Sequence, residues 1–267
     1  MAHPDLNTVC TLLRDCARRE ILPRFTRSTT EYKSDGSIVT EADLAMQQAT
    51  QSALANAWPD IPLIGEETPE TERDALLERA GQAIWCLDPL DGTSNFAAGL
   101  PFFAASLALL VDRKPVLAAV YDPVRDEMFS AAAGGGAFLN AAPLKLTPRG
   151  IKLEKSIAIV DFKRLQAPLA TRLAATPPYS SQRSFGSVAL DWAWLAAGRY
   201  HVYLHGKQKV WDYAAGVLIL AEAGGTSSTL DRDPVFTAAL TPRSAVAACD
   251  SPLYEEWITW LSTSRSA

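Results

Sequence analysis

Asp88 and Asp91 flank Pro89 in the run WCLDPLDGTSNF, residues 85–96. Two carboxylates this close, followed by small and hydroxyl side chains, suit a hard cation next to a phosphate. Pro89 fixes its own φ, pushes Asp88 toward an extended conformation and favours a tight turn, which lets the carboxylates converge. Gly92 permits a backbone path or close approach that a side chain would resist, and Thr93, Ser94 and Asn95 are residue types that open helices. A strand over residues 83–87 followed by such a helix start would set carboxylates and an anion-binding terminus a few residues apart. A solvated Asp-Pro turn with a Thr or Ser cap accounts for the same run, so other segments must decide.

Two further acidic segments bear on that choice. Gly65-Glu66-Glu67 follows the apolar stretch 61–64, where a strand would end, and precedes a charged helix expected from Thr68 to Arg79. Taken alone it is an ordinary acidic helix start. In WDYAAG, residues 211–216, Asp212 precedes a small and apolar run from Ala214 to Ala223, where it reads equally well as an N-cap. Glu66, Asp88, Asp91 and Asp212 nevertheless share one property: each stands at the edge of a segment that predicts burial, and buried carboxylates need a cation or a partner.

Together these segments resemble the signatures of the inositol monophosphatase family, the Mg²⁺-dependent, lithium-sensitive phosphatases of sugars and nucleotides. The family's GEE, D-P-[IL]-D-G-T-x-N-F and W-D-x-A-[AG]-G patterns are met in order at 65–67, 88–96 and 211–216. The resemblance extends to Lys33 through Asp43, similar to the family's hairpin and helix start. It also takes in the turns Gly134 to Phe138 and Glu222 to Gly225, and so covers nearly the whole chain. It implies a layered α-β-α-β-α sandwich, α/β in class with an α+β first half, and a homodimer.

Carried over residue by residue, the resemblance makes Glu66, Asp88 and the backbone carbonyl of Leu90 ligands of one Mg²⁺. Asp88 bridges to a second, which Asp91 and Asp212 complete. A third ion would share Glu66 with water, giving two or three ions per subunit. Thr93, held by Asp43, would orient and deprotonate an attacking water, and the amides of Gly92 and Thr93 would hold phosphate oxygens. Thr40-x-x-Asp43 also reads as a capping box ahead of a helix, and the two roles are compatible because a cap is rigidly placed. On the substrate side the resemblance assigns Asp91, Gly186, Ser187, Val188 and position 205. There the chain departs from the family, since His205 stands where a glutamate is common. A glutamate accepts hydrogen bonds from ring hydroxyls, whereas a histidine donates, accepts or carries charge. His201 and His205 also read as structural members of one strand face around Tyr203. Lys207, Lys209 and Arg183 fit either a second anionic group or a solvated loop.

The activity implied is hydrolysis of a small phosphorylated metabolite of the inositol 1-phosphate type. A 3′(2′),5′-bisphosphate nucleotide, fructose 1,6-bisphosphate and histidinol phosphate are the alternatives within the family. A binding or regulatory protein built on the same fold is the alternative outside it, although such a protein would be expected to have lost Glu66, Asp88, Asp91, Thr93 or Asp212. Phosphate monoester hydrolysis is among the slowest uncatalysed reactions, and metal ions with placed water address it without covalent catalysis. Neither a C-x5-R nucleophile nor a G-x-S-x-G elbow occurs in the sequence.

These residues need a large scaffold, and 267 residues at 48% hydrophobic content provide one. A net charge of −5 argues against stable nucleic-acid binding. Four cysteines, Cys10, Cys16, Cys86 and Cys249, show no C-x-x-C spacing, and three of them lie in apolar patterns that suggest buried thiols, which implies a reducing, cytoplasmic setting. The first 20 residues are polar and unlike a signal peptide, and the apolar stretch 96–111 is broken by Gly99 and Pro101, so no membrane span is expected.

Leu6, Val9, Cys10, Leu13 and Ala17 recur at helical spacing, and a second helix is expected over 41–57. Segments 102–111, 116–122 and 127–132, separated by turn residues, read as an antiparallel sheet. The stretch Thr147 to Lys155 divides an N-terminal half, 1–146, from a C-terminal half, 147–267. In the second half strands (156–160, 200–204) alternate with helices (ending near Ala175, then 187–197 and 212–222), an α/β pattern. A last helix is capped by Asp250 or Ser251 with Pro252 in its first turn. Trp192 and Trp194 are expected to be exposed, at an interface, or in the core.

Overall fold

The computed structural model describes residues 4–27, 30–32, 38–77 and 83–263. Lys33 to Ser37 of the hairpin segment, and Arg79, lie outside them.

Helix α1 (Leu6–Glu20) is opened by Asp5, whose carboxylate accepts the Thr8 amide. The short hairpin β1 (Thr30–Tyr32) and β2 (Ile38–Thr40) leads into α2 (Glu41–Ala57). Then follow β3 (Leu63–Gly65), α3 (Glu70–Leu77), β4 (Ile84–Asp91), α4 (Thr93–Ala97), β5 (Ala104–Val111), β6 (Lys114–Asp122), β7 (Glu127–Ala132), β8 (Gly136–Leu139) and β9 (Ala142–Leu144). Strands β3 to β9 form a seven-stranded sheet in sequence order, antiparallel except for the parallel β3–β4 pair. The charged helix starts two residues later than expected because the Thr68 hydroxyl is turned back to accept the Gly65 amide.

The remaining elements are β10 (Ile157–Asp161), α5 (Ala167–Ala175), β11 (Ser181–Arg183), α6 (Val188–Ala196), β12 (Val202–Gln208), α7 (Val210–Ala223), β13 (Thr226–Ser228), β14 (Arg243–Ala248) and α8 (Ser251–Ser262). They build a five-stranded mixed sheet ordered β11-β10-β12-β14-β13. Asp250 caps α8 by accepting the Leu253 amide, and Pro252 lies in its first turn.

Strand alternation sorts the chain into five layers, α-β-α-β-α. In β4, Trp85 and Leu87 pack toward α1 and α2, whereas Ile84 and Cys86 pack toward α6 and α7. In β12, Tyr203 faces the same central helices, while Val202 and Leu204 face α5 and α8. One continuous core, from Ile64 through Ala189 to Ala247, therefore joins the two sheets. Neither tryptophan of α6 is exposed. Trp192 is wholly buried and donates to Gln208 Oε1 (2.8 Å), and Trp194 is half-buried between Phe102, Phe185 and Arg199. Trp192 therefore belongs to the core, whereas Trp194 keeps part of its surface open. All four cysteines are free thiols. Among the described residues no helix is long and apolar enough to cross a membrane.

Candidate active site

The strand expected to stop at Leu87 runs on to Asp91. Asp88 is opposite Ser106 and Asp91 opposite Ala104, so β4 takes three steps where β5 takes two. Residues three apart on a regular strand point to opposite faces. The extra residue of this bulge cancels that and brings both carboxylates to the same side. Pro89 fits there because a bulge asks for no ladder N–H from it. Gly92 follows with φ +91°, and a Cβ on it would stand 2.9 Å from the Phe102 carbonyl oxygen, so only glycine lets the chain turn directly into α4.

Thr93 is the first residue of α4. Its hydroxyl lies 3.1 Å from Asp43 Oδ1 and 2.9 Å from the Leu90 carbonyl, with one proton to give to either. Asp43 is buried at the start of α2, where Oδ2 accepts the Thr40 amide (2.8 Å) and hydroxyl (2.6 Å), completing the expected capping box. Burial pushes the Asp43 carboxyl up to about 6, against the lowering effect of its Thr40 and Thr93 hydrogen bonds.

The C-terminal half closes on this loop. Asp91 Oδ2 accepts the Ser187 hydroxyl (2.5 Å) and the Ala189 amide (2.7 Å), tying β4 to the start of α6. Asn95 donates to both the Phe102 and Phe185 carbonyls (2.8 and 2.7 Å) and so fixes the approach to Gly186. Asp212 lies inside α7 rather than at its cap, and reaches back to accept the Lys209 amide (2.8 Å).

Glu66, Asp88, Leu90, Asp91, Gly92, Thr93, Gly186, Ser187, Val188, His205 and Asp212 all line one cleft of about 1030 Å³. Lys207 and Lys209 line it too. His201 turns instead to accept the Ile157 amide through Nδ1, and Arg183 is exposed and bonded to Ser181 and Gln182. The carboxyls of Asp88 and Asp212 are pushed well up by burial and then by neighbouring acids, and that of Asp91 rises to about 7 chiefly through burial. Among the described residues, no three His, Cys, Asp or Glu side chains are drawn tightly enough together to cage an ion unaided. The acids stand instead around an open space. Four charged residues of the cleft, Asp161, Lys163, Arg164 and Asp191, escaped sequence reasoning. The readable signal was Asp161 at the carboxyl end of a strand, the edge where α/β sheets place ligands.

The family model described as the inositol monophosphatase family matches residues 5–264. The chain belongs to the inositol monophosphatase family. Membership makes it an enzyme, a phosphoric monoester hydrolase. Among curated relatives it is similar to Nus factor SuhB of Xylella fastidiosa, 34% identical over 218 residues, 80% of this chain and 74% of the relative. Inositol monophosphatase 1 of Solanum lycopersicum is 32% identical over 240 residues, 85% and 87% of the two chains. Three solved structures share the fold at 25% identity. An IMPase of Thermotoga maritima superposes with a TM-score of 0.83 (97% of this chain, 96% of the other). A staphylococcal IMPase-II with inositol monophosphate bound gives 0.81 (97% and 95%). An IMPase/NADP phosphatase complexed with Mg²⁺ and phosphate gives 0.82 (96% and 93%).

Proposed function

We propose that this member of the family is a Mg²⁺-dependent phosphomonoesterase that hydrolyses a small phosphorylated polyol of the inositol 1-phosphate type. The observation that carries this reading is the convergence of Glu66, Asp88, Asp91 and Asp212, from three separated segments, on one cleft beside the Thr93–Asp43 pair. Acids pushed up by burial and by one another are a site short of positive charge, which divalent ions would supply. Mg²⁺ keeps water and substrate oxygens in its octahedron, so an open arrangement of acids suits it better than a closed cage. Glu66, Asp88 and the Leu90 carbonyl would hold one ion, and Asp88, Asp91 and Asp212 a second, with a third sharing Glu66. Bound there, the ions would acidify water and offset charge on the phosphoryl group.

The chain's own residues do the positioning. When the Thr93 hydroxyl donates to Asp43, its lone pairs face the cleft and accept a hydrogen bond from the attacking water. Asp43, with a carboxyl near 6, then receives the proton through Thr93. The Gly92 and Thr93 amides would hold phosphate oxygens, and Gly186 to Val188 would face the alcohol. The relatives named inositol monophosphatase and the inositol monophosphate complex support the choice of alcohol. Lithium inhibition and a homodimer belong to the same reading. The expectation against nucleic-acid partners rested on net charge alone, and it is not carried forward for a chain whose relatives include a Nus factor.

The test is Mg²⁺-dependent phosphate release from inositol 1-phosphate, adenosine 3′,5′-bisphosphate, fructose 1,6-bisphosphate and histidinol phosphate, with and without lithium. Preferential, lithium-sensitive hydrolysis of inositol 1-phosphate is expected. Preference for another member of the panel would reassign the substrate, and no release from any would overturn the reading.

A further inference from the structure

Asp161 and His205 are register partners across the parallel strands β10 and β12. His205 Nε2 lies 3.1 Å from Asp161 Oδ2, and the Lys207 amide donates to Nδ1 at 3.2 Å. An amide donating to Nδ1 leaves the ring proton on Nε2, aimed at the carboxylate. Both ring nitrogens are thus engaged inside the protein. Both residues line the cleft, but the His205 side chain is 4% exposed and that of Asp161 28%, so the carboxylate presents far more of its surface there than the imidazole does.

The backbone holds this pair in place. A Cβ on Gly206 would stand 1.8 Å from the Arg164 carbonyl oxygen, so β12 and the turn that follows Asp161 close directly on one another. Partial burial would raise the Asp161 carboxyl, but the hydrogen bond from His205, the charge of Arg164 and the Lys163 amide outweigh it and hold the group below its ordinary value. It therefore stands as an acceptor on the alcohol side of the cleft.

We propose that Asp161 accepts hydrogen bonds from hydroxyl groups of the leaving alcohol, and that His205 is the residue that positions it. The proposal rests on the phosphomonoesterase reading above. It replaces His205 by its neighbour as the group that reads the alcohol. Neutral hydroxyls are favoured over an ammonium group because the Arg164 charge already acts on Asp161, and Lys163, whose amide bonds Asp161, lines the cleft with it.

The test compares inositol 1-phosphate with 4-nitrophenyl phosphate, whose leaving group offers no hydroxyl in the ester, using the full chain with Mg²⁺. Asp161→Ala is expected to raise KM for inositol 1-phosphate about tenfold to a hundredfold, the range for losing a hydrogen bond to a charged group, with kcat within about twofold. Its kcat/KM on 4-nitrophenyl phosphate should stay within about twofold of the parent. His205→Phe should show the same substrate-selective loss, and His205→Gln, which keeps one donor and one acceptor, should recover part of it. Equal losses on both substrates, or none in Asp161→Ala, would overturn the assignment while leaving the phosphatase reading intact. Failure of the parent chain to hydrolyse either substrate would overturn both.

Discussion

Replacing Asp91 by asparagine should make the metal-free protein more stable and inactive at once. The carboxyl rises from 3.8 to about 7 in the fold, burial being the largest cause. A group favoured in its neutral form stabilises the native state fully below its unfolded value, and that contribution is lost as pH climbs through the folded value. Above about pH 7 the loss corresponds to about 4 kcal/mol at 1.36 kcal/mol per pH unit, and the part of the side chain open to the cleft reduces it to roughly 2 kcal/mol. Asparagine avoids the loss, and its carbonyl oxygen can still accept from Ser187 and Ala189, as Asp91 Oδ2 does now. Urea denaturation in EDTA at pH 4 and pH 8 reads the difference directly. Asp91→Asn should match the parent at pH 4 and exceed it by roughly 2 kcal/mol at pH 8. Added Mg²⁺ should then stabilise the parent far more than the variant. Equal stability at pH 8, or equal gains from Mg²⁺, would refute the view that this acid is held at a cost for the sake of a cation.

Four other outcomes follow from the same geometry. Asp212→Asn should abolish Mg²⁺-dependent phosphate release while leaving the circular dichroism spectrum unchanged, because it removes charge without removing the acceptor for the Lys209 amide. Asp43→Ala should lower kcat by about 10²–10⁴-fold, the usual size of an acid-base contribution, with little change in Mg²⁺ affinity by calorimetry. In the parent, kcat should fall as pH drops through about 6, since a protonated Asp43 no longer takes the Thr93 proton. Gly92→Ala should cost about 1–3 kcal/mol in thermal unfolding, from the φ of +91° and the approach to the Phe102 carbonyl, and should impair turnover with it.

The acids of the cleft were legible because each occupies a fixed place in a short run with its own backbone logic. Thr40 and Asp43 form the box that their spacing promised, and Asp250 caps the last helix as read. What escaped depended on contacts between distant segments. Pro89 reads as a strand terminator, and only pairing with β5 shows it inside a bulge. Asp161 is an unremarked acid until β12 is laid beside it and His205 meets it across the strands. Trp192 cannot be placed by local pattern, since α6 is apolar on more than one side and both sides are covered. The sandwich order was implied by family resemblance, and the alternating burial along β4 and β12 gives its physical basis.

The shared core also has a temporal side. The seven-stranded sheet has all its strands once Leu144 is made, but the helices that cover its second face end only at Ala196 and Ala223. Cys86, Ala108, Val120 and Phe129 have no cover from them in the interval. At about 5–20 residues per second, the remaining chain up to the end of α7 takes roughly 4–16 s to synthesise. During biosynthesis the nascent protein thus carries an apolar sheet face without its lid for seconds, the period in which aggregation or chaperone capture competes with folding, and any chain truncated before α6 keeps that face permanently.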